Sequence, residues 1–208
     1  MVETVSSIRP NTSDATAQVL VIACGALARE ITAICKVNRL DHVTLTCLPA
    51  NLHNRPEKIA PAVQRAIEKA GDTFDQILIG YGDCGTGGDL DRVLAQTGAE
   101  RIGGPHCYAF FTGLEEFEET GSDDFTSFYL TDFLVRQFDS IVIKSLGLDR
   151  HPELRDSYFG HYEKVIYLAQ TNDPKLDEAA QKAADRLGLA FERRMTGYGD
   201  LIPFLKNG

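Results

Sequence analysis

No two cysteines of this 208-residue chain are spaced Cys-x-x-Cys, although it has five of them. The missing spacing removes the thioredoxin-like reading and leaves no compact zinc-ribbon signal. An odd count also fits a disulfide framework poorly. Basic runs are absent too, and the formal net charge is −9, a balance that suits neither nucleic acid nor an anionic membrane as partner. No apolar stretch approaches the ~18 residues of a membrane span. Residues 1–16 are polar and lack the apolar segment of a signal peptide. They are expected to form a flexible tail, and the protein to reside in the cytoplasm. In that compartment cysteines serve as thiols or metal ligands rather than disulfides.

What is present is an ordinary globular composition, 43% hydrophobic and 25% charged, with enough chain for one sizeable core. A continuous apolar run at 18–23 reads as a strand covered on both faces; 76–79 reads as a buried strand, and 42–48, rich in β-branched residues, and 164–169 as further strands. Shorter strands are expected near 100–102 and 190–195. Helical patterns fill 26–37, 56–70, 89–96 and 173–187, the last opened by Asp173-Pro174 and stopped by Gly188. Residues 125–138 also have helical spacing, 153–162 read as helical, and 140–144 are ambiguous. Glu115, Glu116, Glu118, Glu119, Asp123 and Asp124 make an acidic loop region. Such alternation predicts an α/β fold, a mostly parallel Rossmann-like sheet flanked by helices, as a single domain over 17–208.

One stretch stands out: Gly80-Tyr81-Gly82-Asp83-Cys84-Gly85-Thr86-Gly87-Gly88. It follows a strand, precedes a helix, and holds a cysteine in a bend rich in glycine. Glycine lets the backbone take positive φ and approach a ligand closely, so Gly82, Asp83 and Gly85 are expected beside a bound cofactor. Cys24 and Cys107 occupy comparable places, each closing a strand and flanked by Gly25 or Pro105. Ligands of parallel sheets bind beyond the carboxyl ends of the strands. Cys24, Cys84 and Cys107 are therefore expected to converge on one metal site, zinc or an iron–sulfur cluster, both of which favour soft thiolate ligands. Neighbours in an extended chain point to opposite sides, which makes His53 a better fourth donor than His106 beside Cys107; the fourth position could equally stay open. Asp83 either orients a ligand histidine or caps the bend. Cys35 and Cys47 are expected in the core, Tyr108 as packing, and Asp132 with Arg136 as a plain i,i+4 helix pair.

Gly80-x-Gly82-x-x-Gly85 satisfies a dinucleotide pattern, but Glu100, at the distance of the ribose-binding acid, begins its strand instead of ending it. No Walker lysine follows, and Asp83 sits where phosphate would approach. The tetrapeptide Gly-Tyr-Gly-Asp recurs at 197–200, a hint that one bend shape is used twice.

Several longer stretches occur together: Cys24-Gly25, Leu52-His53-Asn54-Arg55-Pro56, the 80–88 bend, Gly104-Pro105-His106-Cys107-Tyr108, Leu130-Thr131-Asp132-Phe133, Leu146-Gly147-Leu148-Asp149 and Tyr167-Leu168-Ala169-Gln170. In these the chain resembles the DUF1638 family over about residues 17–205. The resemblance implies a setting near corrinoid-dependent methyltransferase systems, with a corrinoid protein or methyltransferase as partner. Three functions follow as expectations. The first is a metal protein in one-carbon, corrinoid-linked methyl metabolism, acting in methyl transfer or corrinoid reactivation. The second is a cofactor-free enzyme using Cys24 and Cys84 as acid and base. The third is a non-enzymatic accessory or carrier.

Overall fold

The computed structural model describes residues 17–120 and 126–208. The expected tail at 1–16, and Asp123 and Asp124 of the acidic region, lie outside them. The first half of the chain runs β1 (Val19–Cys24), α1 (Ala28–Asn38), β2 (Val43–Leu48), α2 (Ile59–Ala70), β3 (Gln76–Gly80), α3 (Asp89–Thr97) and β4 (Glu100–Arg101), then α4 (Cys107–Thr112) and α5 (Leu114–Thr120). The second half runs β5 (Ser127–Thr131), α6 (Asp132–Arg136), a π-helical turn (Asp139–Lys144), α7 (Arg155–Phe159), β6 (Lys164–Ala169), α8 (Pro174–Leu187), β7 (Ala190–Met195) and α9 (Leu201–Lys206).

The α/β class with parallel strands is as the sequence predicts. The strands, however, form two sheets: β2-β1-β3-β4 and β5-β6-β7, each parallel throughout. In the first, β1 is central, and its alternation splits two cores. Val19, Val21 and Ala23 meet Ile31 of α1 and Leu201 and Leu205 of α9. Leu20 and Ile22 meet Ile59 and Val63 of α2 and Leu90 of α3. A strand clamped between two helical layers has no polar face, which explains its unbroken apolar run. In the second sheet β6 has the same role, with Val165 to Ala169 fully buried.

Two expectations are corrected here. Residues 125–138 do not form one helix: β5 occupies 127–131 and pairs with β6 in register Leu130↔Tyr167. Phe128 and Tyr129, aromatic and adjacent, suit a half-buried strand, and the partner strand decides between two patterns that local spacing leaves close. Cys47 is exposed on the edge strand β2 rather than buried, because only β1 flanks it; Cys35 packs partly buried against the α1 side of the first core. The ambiguous stretch 140–144 lies in the π-helical turn.

The end of the chain crosses back onto the first half. The Asp200 N–H donates to the Phe110 carbonyl (2.7 Å), and the Asp200 carboxylate accepts from the Leu114 N–H (2.8 Å). The two Gly-Tyr-Gly-Asp copies do not share a shape. Gly197 and Gly199 have φ of 61° and 44°, whereas neither Gly80 nor Gly82 has positive φ, because Gly80 is still part of β3. Among the described residues, no helix is long and apolar enough to cross a membrane.

Candidate functional site

The carboxyl ends of β1, β3 and β5 open on one cavity of about 50 Å³, so the cavity lies where the two sheets meet. Cys24, Cys84, Cys107 and His53 all line it. Only Cys24 closes a strand. Cys84 lies in the turn after β3, and Cys107 is the first residue of α4. His53 comes from a 3-10 turn (Ala50–Asn54) after β2, and His106, N-cap of α4, is off the cavity.

Backbone pairing brings the second and third thiols to one place. The Asp83 N–H donates to the Gly104 carbonyl (3.0 Å) and the Cys84 N–H to the Pro105 carbonyl (2.8 Å). The two segments approach so closely that a Cβ on Gly82 would sit 2.8 Å from the Gly104 oxygen. Gly82→Ala is therefore expected to push the Cys84 and Cys107 segments apart and to destabilise the fold by about 1–3 kcal/mol, read as a lower denaturation midpoint.

Cys84 has φ of 49°, a left-handed conformation shared among non-glycine described residues only with Arg39. Glycine and asparagine take that region with little penalty, whereas a thiol side chain there is strained by roughly 1–2 kcal/mol. Asp83 serves the bend itself. Its carboxylate accepts from the Thr86 hydroxyl (2.8 Å) and from the N–H groups of Gly88 (3.0 Å), Gly85 (3.2 Å) and Gly87 (3.3 Å). Desolvation alone would raise its pKa, but these bonds together hold it below the usual carboxylate value. Gly82, Asp83 and Gly85 thus shape the loop and do not line the cavity.

Burial dominates the electrostatics. It raises the Cys24 thiol, against a backbone hydrogen bond at Ala26 and the nearby Tyr81 hydroxyl. Cys84 is pushed to about 11 by burial and by the neighbouring Cys24, against backbone bonds at Gly82 and Cys107. Cys107 is held well above the ordinary thiol value by burial and by the other two thiols. Burial, and then the ring of His106, lowers His53. The cavity therefore presents three neutral thiols and a neutral imidazole, and among the described residues no three His, Cys, Asp or Glu side chains converge closely enough to hold an ion. Tyr81 also lines it, 3% exposed. Tyr108 both lines it and stacks on Tyr129, with ring centroids 5.3 Å apart.

The expected i,i+4 pair of Asp132 with Arg136 is present, but sequence reasoning missed that Asp132 is a fully buried hub. Its carboxylate accepts from the Tyr167 hydroxyl (2.7 Å), the Gln170 N–H (3.0 Å) and the Thr171 hydroxyl (2.5 Å), with the Arg136 guanidinium at 3.7 Å. Its neighbours Thr131 and Phe133 line the cavity. The available signal was that Leu130–Phe133 and Tyr167–Gln170 both stand among the longer stretches of the resemblance.

Residues 47–205 match the family described as "Protein of unknown function (DUF1638)". No curated protein matches the chain.

Proposed function

The chain belongs to the DUF1638 family, and we propose that it is a metal-binding protein whose centre is held by Cys24, Cys84 and Cys107 with His53 as fourth donor. One observation carries this reading: four soft or borderline ligands, from four separate segments, line a single cavity at the meeting of two sheets. The strained Cys84 backbone supports it, since strain of that kind persists where a side chain is needed at one place. Three thiolates and an imidazole are a zinc donor set, and an iron–sulfur cluster is the second reading. With four protein donors the ion would be closed; it would supply Lewis acidity to a thiol or water only where His53 gave up the fourth position.

The chain's own residues do the rest. Backbone hydrogen bonds at Ala26 and Cys107 favour the thiolate forms of Cys24 and Cys84. Ile59, Phe133, Leu134 and Ile141 keep the cavity apolar. Since no three of these side chains converge as they stand, holding an ion would require the thiols of Cys24, Cys84 and Cys107 to turn inward. Acid–base work by Cys24 and Cys84 alone is the weaker reading, because burial keeps both thiols protonated. For the setting we take cytoplasmic one-carbon metabolism linked to corrinoids, in methyl transfer or corrinoid reactivation. A cavity of about 50 Å³ does not admit a corrinoid macrocycle, so that cofactor belongs to a partner protein.

The test is elemental analysis of untagged protein purified without oxygen. About one zinc per chain is expected. Adding zinc to metal-free protein at pH 7 should release about three protons, since each thiol must ionise to bind. Iron with acid-labile sulfide would replace zinc by a cluster. Absence of both bound metal and proton release would overturn the proposal.

A further inference from the structure

We propose that the thiol-lined cavity takes an uncharged molecule of about four non-hydrogen atoms bearing one hydrogen-bond acceptor, and that the Tyr81 hydroxyl is the donor that holds it. The inference rests on the proposed centre in one respect: an acceptor held by Tyr81 would lie beside Cys24, where a bound metal could polarise it.

Three observations carry it. First, Tyr81 is 3% exposed and lines the cavity, yet its hydroxyl oxygen is buried with no hydrogen-bond partner. The Cys24 thiol lies beside it and is at most a weak acceptor, so the hydroxyl is left without an oxygen or nitrogen partner. An unpaired buried hydroxyl is destabilising until an acceptor reaches it. A phenol carries its proton at neutral pH and so can donate.

Second, among the described residues no Asp, Glu, Lys or Arg lines the cavity. A buried ion without a counter-charge is strongly disfavoured, so carboxylates and phosphates are poor occupants. Third, the volume of about 50 Å³ is small. A water-sized group needs ~10–15 Å³ on this measure, which leaves room for about four such groups.

Acetone and acetate test this directly: they have the same number of heavy atoms and differ in charge. Protein as purified, carrying ¹³C-labelled isoleucine methyls, is titrated with each and followed by NMR. Acetone is expected to shift the Ile59 and Ile141 methyls saturably, and acetate to bind at least about tenfold more weakly. Tyr81→Phe should weaken acetone about tenfold, keep the same metal content, and melt no lower than the native protein. Equal binding of acetone and acetate, or unchanged acetone binding in Tyr81→Phe, overturns the proposal. So does loss of metal or a lower melting temperature in Tyr81→Phe, because the hydroxyl would then serve the thiols or the fold. Native protein without metal would sink the metal centre alone, and the acetone titration would still decide this inference on its own.

Discussion

Cys84→Gly is expected to weaken metal binding about a hundredfold while leaving the stability of the metal-free protein within about 1 kcal/mol of the native chain. The two halves of that result have separate causes. At φ of 49°, glycine relieves roughly 1–2 kcal/mol of left-handed strain. Against this stand the lost contacts of a small, partly buried side chain and the added freedom of glycine in the unfolded chain, each about 0.5–1 kcal/mol. The sum is near zero. For the metal, a four-ligand structural zinc site has an apparent binding free energy of roughly 10–16 kcal/mol. Loss of one ligand in four removes ~3 kcal/mol, about two orders of magnitude in affinity. Equilibrium zinc competition and urea melts on the same samples would read both.

A pH dependence belongs to the same residue. The folded protein raises the Cys84 thiol from 9.0 to about 11, so folding favours the protonated form. The resulting stability is full below about pH 9 and is lost as pH rises through about 11, to the order of 2–3 kcal/mol. Metal-free native protein should show that alkaline loss, and Cys84→Gly should lack this part of it. A native melt flat from pH 8 to 11 would mean that the thiol is not buried as described.

The residues that made the site legible in sequence were those with local signatures. A thiol in a run of glycines between strand and helix needs no long-range knowledge to be noticed, and Cys24 at the end of a fully apolar run is similar. Alternation along an extended chain set His53 apart from His106 in sequence, and of the two only His53 lines the cavity. What local pattern could not supply was pairing. β5 is five residues long and is fixed by β6 beside it, so helix-like spacing across 125–138 hid it. With β5 hidden, the second sheet was invisible, and with it the fact that Thr131 and Phe133 close the cavity from the far side. Of the two roles expected for Asp83, its four accepted hydrogen bonds show the capping one: with its flanking glycines it builds the turn that carries Cys84.

The same hidden strand explains why Asp132→Ala should have the largest effect on stability. Asp132 follows β5 directly and ties its end to the end of β6 through Tyr167, Gln170 and Thr171. Alanine would leave two hydroxyls and one backbone N–H without their acceptor in a site closed to water, and would strip Arg136 of its buried carboxylate partner. Breaking a buried charged network from one side typically costs about 3–5 kcal/mol. For a chain of this size that corresponds to a fall of about 10 °C in melting temperature. Asp132→Asn keeps one acceptor oxygen but turns an amide toward a donor, so a smaller fall is expected. Metal content separates this role from a direct one. All four proposed ligands come from the first half of the chain, so Asp132→Ala protein that stays folded at low temperature should still bind one zinc. If it binds none while remaining folded, Asp132 acts on the metal centre itself, and the second sheet is part of the site's chemistry and not only its wall.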